Sequence, residues 1–484
     1  MNLTEEQKEI VESQSQITLV NAYAGTGKTS TLVEYCKKRA ESKILYLAYN
    51  SSMAKEATKK FSSLENVSCV TIHSLALRSL KEKIHPYRSR LSNSSLTPKD
   101  LFAYFEGNKY QGIFANMLMK LFRKFINSNM TIEEALASCN SDEKQISFLL
   151  PKLWSDILTD DDLPFEHDFY LKMYQLDSPD LSEYEYILVD EAQDLNPVMF
   201  DIVSTQKSKQ VYIGDTYQKI YGFRECINAL DMLKDHKDAR IFYLTRTFRC
   251  PNYIVDRANP FLYLLGASKP LVGQDVEFDE NLLPKSGNKQ CIICRTNAKV
   301  FDYVVSNPEV KFHFIGGIKG YNFSDILDIA LLHSRNLETR KFIRNNFYSK
   351  FQDAKELREY IKECSDVEAK TRLMIFYKYA KTQNLFAVVR DIKHYPIKDA
   401  DCIITSAHKS KGLEWDFVQI ENDFIDLLKI MDDHKGCPFE VPREELNLLY
   451  VALTRAKKKM ELPEQYAFDF QQIRDIEEKI SLIE

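Results

Sequence analysis

The 484-residue sequence contains no run of about 18 uncharged apolar residues, so it offers no candidate for a helix that crosses a bilayer. It also lacks an excess of positive charge: 65 Lys and Arg stand against 70 Asp and Glu, a formal net charge of −5. That balance speaks against coating of duplex DNA by charge alone. It leaves room for holding a single strand through aromatic stacking and local basic grooves. Basic clusters do occur, at RSLKEKIHPYRSR (78–90), KLFRK (120–124) and RAKKK (455–459), although each taken singly reads as a solvated face. The ten cysteines are scattered. The close pair Cys291 and Cys294, in CIIC, lies in an apolar β-branched run with no second pair to complete a zinc site, and reads as buried strand. A reducing, intracellular setting follows. The opening MNLTEEQKEI is acidic and polar, unlike a secretory or transit leader.

Glycine is sparse too, only 14 in the chain, so its clusters carry information. QITLVNAYAGTGKTSTLVEYCKKRA (16–40) reads as a β-branched strand, a glycine turn and an amphipathic helix. The turn AYAGTGKT (22–29) fits the phosphate-loop pattern, with Ala22 in place of its first glycine. Around Ala24, Gly25, Thr26 and Gly27 the backbone N–H groups would close on phosphates at the helix N-terminus. Lys28 would reach the β- and γ-phosphates of ATP, and the Thr29 hydroxyl would ligate Mg²⁺. The plainer alternative is a surface turn that happens to carry Lys-Thr. Downstream, YEYILVDEAQD (184–194) is an apolar strand ending in Asp190 and Glu191, which suits the crevice of a parallel α/β sheet. Asp190 would hold Mg²⁺, and Glu191 would orient or deprotonate the attacking water. An isolated Asp-Glu is usually a surface pair; beside a phosphate cradle it marks a nucleotide hydrolase.

Near the C-terminus, NLLYVALTRAKKK (447–459) sets Arg455 directly against an apolar run. A guanidinium there is costly unless it meets a carboxylate or a phosphate.

VDEAQD (189–194), GDTYQKIYGFR (214–224), HKSKGLEW (408–415) and LLYVALTRA (448–456), in this order after the glycine loop, are together specific. By these motifs the sequence resembles the superfamily 1A helicases of the UvrD/Rep/PcrA type, and within them the helicase core of the F-box DNA helicases, with no F-box segment expected ahead of it. The resemblance covers residues 3 to about 460. It implies that Gln7 in LTEEQ meets the adenine, that Ser30 belongs to the nucleotide site, and that Gln218 lies near the γ-phosphate. It further implies that Phe248 in LTRTFR stacks on the adenine, that Arg249 and Arg455 are the two arginine fingers, and that Glu414 couples the motor domains. The anion awaited by Arg455 would then be the γ-phosphate gripped by Lys28. DNA contacts implied in the same way are Tyr49, His73, Tyr221, Phe223, Arg224, Arg295, Asn297 and His408. Ser30, Phe223 and Phe248 depart from the Arg, Trp and Tyr common in the bacterial enzymes, and Ser52 replaces a usual Lys.

The implied fold is α/β, with two RecA-like parallel-sheet motor domains carrying helical insertions. These are motor domain 1A at 1–76 and 178–258, insertion 1B at 77–177, motor domain 2A at 259–336 and 386–484, and a reduced insertion 2B at 337–385. The implied activity is an ATP- and Mg²⁺-dependent translocase on single-stranded DNA that runs 3′ to 5′ and opens duplexes at single-strand/duplex junctions, in repair, recombination or anti-phage defence. Two alternatives stand beside it: an ATP-driven switch, and a helicase subunit working only with a nuclease or recombination partner. The location would be cytoplasmic for a bacterial or phage protein and nuclear for a eukaryotic one.

Overall fold

The computed structural model describes residues 3–484 apart from 92–95, 109, 161, 223–225, 278, 280, 281, 283–288, 335, 346, 365, 366, 382 and 383. The chain divides into two compact units, Met1–Leu244 and Thr245–Glu484. The limit expected at 258/259 lies inside a continuous helix, Asn252–Leu264.

The first unit is organised by strands β1 (Ile17–Ala22), β2 (Ile44–Ala48), β3 (Val67–Thr71), β4 (Tyr186–Asp190), β5 (Lys209–Gly214) and β6 (Ala239–Leu244). They form one sheet in the order β3-β2-β4-β5-β1-β6, with every pairing parallel. Runs such as ILYLA and YILVD are buried along their whole length, the pattern of parallel strands covered on both faces. Between β3 and β4 the chain turns helical. NMLMKLFRKFI falls within the helix Gln111–Asn127, whose Leu118, Phe122 and Phe125 pack with Trp154, Phe169 and the sheet residues Leu19, Leu45 and Val189 in one continuous core. The helical segment therefore buries its apolar stripe on one face of the sheet.

The second unit holds β7 (Arg246–Pro251), β8 (Val272–Gln274), β9 (Gln290–Cys294), β10 (Phe312–Phe314), β11 (Cys402–Ser406), β12 (Trp415–Ile420), β13 (Phe439–Pro442), β14 (Ala456–Glu461) and β15 (Ile480–Ile483). Its main sheet, β10-β11-β9-β12-β14, is again parallel throughout. Cys291 and Cys294 lie on central β9, where burial drives both thiols well above their ordinary range. Between β10 and β11 the helices Ala354–Cys364, Val367–Tyr379 and Leu385–Asp391 contribute Leu357, Leu373, Phe376 and Leu385 to a core shared with β9–β11. Two parallel-sheet α/β units with inserted helices are the architecture expected from the sequence. Among the described residues, no helix is long and apolar enough to cross a membrane.

Candidate active site

In the first unit β4, β5 and β1 are neighbours, and the residues that follow their carboxyl ends converge. This edge is where open α/β sheets hold ligands. β1 ends at buried Ala22, and the loop over Ala24, also buried, closes when the Thr26 hydroxyl donates to the Tyr23 carbonyl at 2.8 Å. Gly25 and Gly27 have φ of +71° and +84°, left-handed values that a side chain would strain. Gly27 is the N-cap of the helix Lys28–Lys37 and offers no side-chain cap. An uncapped helix start of this kind favours an anion, through its first-turn N–H groups and the helix dipole. Thr29 and Ser30 sit half-buried in that first turn.

Lys28 Nζ donates to both oxygens of Glu191, at 3.0 and 3.2 Å. Burial alone would lower its proton affinity, but Glu191, Asp190 and Asp215 together hold it above the ordinary lysine range. Glu191 has φ +52°, an uncommon conformation for a residue with a side chain. Asp190 Oδ1 accepts the Glu191 N–H at 2.9 Å, and Oδ2 accepts the Tyr46 hydroxyl. Burial and the neighbouring Glu191 carboxylate push Asp190 up from its usual range, against Lys28 and the Tyr46 and Glu191 donors. Gln193 extends the network: its amide donates to Glu191 Oε2 at 2.6 Å, and its carbonyl accepts the Asp215 N–H at 3.1 Å. Gln218 in turn donates to Asp215 Oδ2 at 2.7 Å. Asp215 is fully buried, which lifts it to about 6. Gly214 makes this approach feasible, because a Cβ there would lie 2.2 Å from Gln193 Oε1. Gln7 is buried in the helix Glu5–Glu12, where its carbonyl oxygen accepts the Thr4 N–H at 3.1 Å and completes a capping box.

In the second unit Arg249 Nε donates to Glu414 Oε2 at 2.7 Å, and Nη1 donates to the Thr454 carbonyl at 3.1 Å. Burial would raise the Glu414 carboxyl, but Arg249 and Lys457 hold it below its ordinary range. Phe248, beside Arg249, is half exposed. Arg455 follows the helix Arg443–Leu453 and is 1% exposed. Its Nε donates to the Val451 carbonyl at 2.8 Å, Nη1 to the Leu413 carbonyl at 3.1 Å and Nη2 to the Thr454 hydroxyl at 3.1 Å. A cation at a helix C-terminus meets unpaired carbonyls and the negative end of the dipole, which explains how an apolar run tolerates it.

Comparison with known proteins agrees with this geometry. Residues 3–239 match the UvrD/REP helicase N-terminal domain, and residues 322–463 match the UvrD-like helicase C-terminal domain. The chain belongs to the UvrD-like helicases. It is 31% identical to F-box DNA helicase 1 of Gallus gallus, over 95% of this chain and 48% of that protein. It is 30% identical to F-box DNA helicase protein 1 of Schizosaccharomyces pombe, over 95% of this chain and 57% of that one. More distant is the ATP-dependent DNA helicase PcrA of Staphylococcus epidermidis, 23% identical over 68% of this chain and 53% of that protein. The chain thus spans about half the length of the curated relatives it matches.

The residues of this UvrD-like helicase expected to face DNA have varied surroundings. Tyr49, just beyond β2, stacks on Tyr221 with ring centroids 6.0 Å apart and planes 9° from parallel. Phe223 and Arg224 lie outside the described residues. His73 Nε2 is 3.2 Å from Asp168 Oδ1. Arg295 is gripped on Nε and Nη2 by both carboxylate oxygens of Glu445, so its guanidinium already has an anion. Asn297 opens the helix Asn297–Ser306, and His408 lies half-buried in the short helix after β11.

Sequence reasoning passed over three residues of the network, Tyr46, Gln193 and Asp215. Gln193 and Asp215 stand inside the quoted motifs VDEAQD and GDTYQ, beside the acids and the glutamine that drew attention there. Only the sheet order makes them partners.

Proposed function

We propose that this chain hydrolyses ATP at the Lys28–Glu191–Asp190 site and uses it to translocate on single-stranded DNA and separate duplexes, with 3′ to 5′ polarity. The observation that carries the reading is the lysine–glutamate pair set beside Asp190 under an uncapped helix N-terminus, at the ends of adjacent parallel strands. The activity stated in the names of the relatives points the same way.

The cradle suits a magnesium nucleotide. Thr29 and Asp190 offer hard oxygen ligands, and few are needed, because Mg²⁺ keeps several waters and takes phosphate oxygens. When bound, that ion neutralises charge on the phosphates as the terminal group transfers. Lys28 exchanges Glu191 for a phosphate oxygen on nucleotide binding, which releases the Glu191 carboxylate. Glu191 then accepts a proton from the attacking water as its oxygen bonds to the γ-phosphorus and the bond to ADP breaks. Gln193 keeps Glu191 in register with Asp215 and Gln218, which makes Gln218 the reporter of the terminal phosphate. Arg249 and Arg455 serve as the arginine fingers, Phe248 and Gln7 flank the adenine, and Glu414 steadies Arg249. Tyr49, Tyr221 and Phe223 stack on bases, with His73, Arg224, Asn297 and His408 beside them; Arg295 joins them only by leaving Glu445. The division into motor domains 1A and 2A with insertions 1B and 2B, as given from the sequence, belongs to the same proposal.

The deciding experiment measures ATP turnover of the pure protein with no nucleic acid, single-stranded DNA, duplex DNA and RNA in parallel. Strand displacement on 3′- and 5′-tailed duplexes follows. Stimulation by single-stranded DNA and displacement of the 3′-tailed duplex are expected. Turnover that ignores DNA would sink the motor reading, and displacement of the 5′-tailed duplex alone would reverse the polarity.

A further inference from the structure

Tyr46 lies on β2, two strands away from the phosphate loop's partner β5 and outside every role assigned above. In the parallel register Tyr46 pairs with Leu188. Side chains alternate along a strand, so Tyr46, Leu188 and Asp190 share one face of the sheet. The Tyr46 ring is 1% exposed and packs on Phe61 with centroids 5.1 Å apart. Its hydroxyl ends on Asp190 Oδ2, while the Glu191 N–H occupies Oδ1 at 2.9 Å. Each oxygen of that buried carboxylate therefore has its own donor, one from a neighbouring strand and one from the next peptide.

The arrangement does more than satisfy a core tyrosine. The terminal torsion of an aspartate is broad, so a carboxylate held by one donor still turns about its bond. Donors on both oxygens fix its plane, and hydrogen bonds to an ionised acceptor are roughly twice as strong as neutral ones. A bound divalent cation needs ligand oxygens aimed within narrow limits, Mg²⁺ more than most. Outer partners of ligating carboxylates supply that aim.

We propose that Tyr46 is a positioning residue of the hydrolytic site, whose hydroxyl sets the plane in which the Asp190 carboxylate meets the metal of a magnesium nucleotide. The inference rests on the nucleotide site described above, but not on the translocase reading.

The test is Tyr46→Phe in the full chain, which keeps the ring against Phe61 and removes only the hydroxyl. Equilibrium binding of a fluorescent ATP analogue is measured with Mg²⁺ and with EDTA. Binding with Mg²⁺ should weaken about fivefold or more, the scale of a charge-assisted hydrogen bond, and binding in EDTA should stay within about twofold. The Mg²⁺ concentration for half-maximal turnover should rise to match, and the KM for ATP at saturating Mg²⁺ should rise with the weaker binding. Equal weakening in both arms, or none in either, overturns the proposal. If Tyr46→Phe does not fold, it is combined with Asp190→Asn and compared with Asp190→Asn alone. Recovery of the fold supports the pairing, because the defect then lay in a buried carboxylate deprived of its donor; no recovery overturns it. Lack of DNA stimulation in the unsubstituted protein would end the motor reading yet leave the Mg²⁺ and EDTA comparison intact.

Discussion

Arg249 and Arg455 are tied together through a single residue, Thr454. Arg249 Nη1 holds its carbonyl at 3.1 Å, and Arg455 Nη2 holds its hydroxyl at 3.1 Å. The same hydroxyl reaches the Tyr450 carbonyl at 2.9 Å, so both guanidiniums are anchored to the end of the helix Arg443–Leu453. A shift of that helix end would move both cations together.

Thr454→Val keeps the carbonyl and the shape but removes the hydroxyl that accepts from Arg455 Nη2. Losing a hydrogen bond made by a charged group costs about 1.5–3 kcal/mol, which urea denaturation of the variant should show. ATP turnover should fall while ATP binding persists. Unchanged stability and turnover would mean that the hydroxyl does not steady Arg455.

Glu191→Gln should separate binding from chemistry. Lys28 loses its ionic partner and becomes freer for phosphate, so nucleotide affinity should hold or rise. Turnover should drop by about 10²–10⁴, the usual contribution of a general base. Lys28→Ala should lose binding and turnover together. Calorimetric titration with ATP beside steady-state rates checks both, and a Glu191→Gln protein that fails to bind ATP would contradict the exchange mechanism.

Tyr49→Ala or Tyr221→Ala breaks the stacked pair. Each should weaken single-stranded DNA binding by about 1–3 kcal/mol, the worth of one base–aromatic stack. No phosphate contact is removed, so the slope of affinity against salt should stay as it was. Fluorescence anisotropy across a salt series reads both quantities, and a changed slope with unchanged affinity would assign these rings elsewhere.

Asp215 predicts a pH dependence. Its carboxyl is lifted by burial from the ordinary 3.8 to about 6. Between those values the folded chain keeps a proton that the unfolded chain has released, so this group's contribution to stability falls as pH rises from about 4 to about 6 and stays low above. The span corresponds to at most about 3 kcal/mol. Asp215→Asn should flatten that part of the stability curve, measured by urea denaturation at four pH values from 4 to 7. A curve parallel to that of the unsubstituted protein would refute the assignment.

The parts legible in the sequence were those whose chemistry is local. The glycine loop runs directly into the helix it starts, and the two acids end one unbroken apolar strand, so each element can be read within a short stretch of sequence. Cys291 and Cys294 could be placed on a buried strand because β-branched neighbours mark one. Arg295 shows the opposite case: the resemblance implies a DNA contact, and its pairing with Glu445, far along the chain, leaves no trace in spacing. The sequence suggests that Arg455 needs an anion, and its neighbours include the Val451 carbonyl at a helix end, the Leu413 carbonyl from a distant loop and the Thr454 hydroxyl, which a linear reading undervalues. Tyr46 was invisible because its role depends on which strand lies beside β2.

Gly214 contributes no functional group, yet a methyl group there would displace the amide that links Glu191 to Asp215. In a mutational screen Gly214→Ala should score like a substitution within the Glu191–Gln193–Asp215 network, although no polar group had been deleted. Intolerance to change therefore extends in this chain to a position that contributes no side chain, only the space its absence leaves.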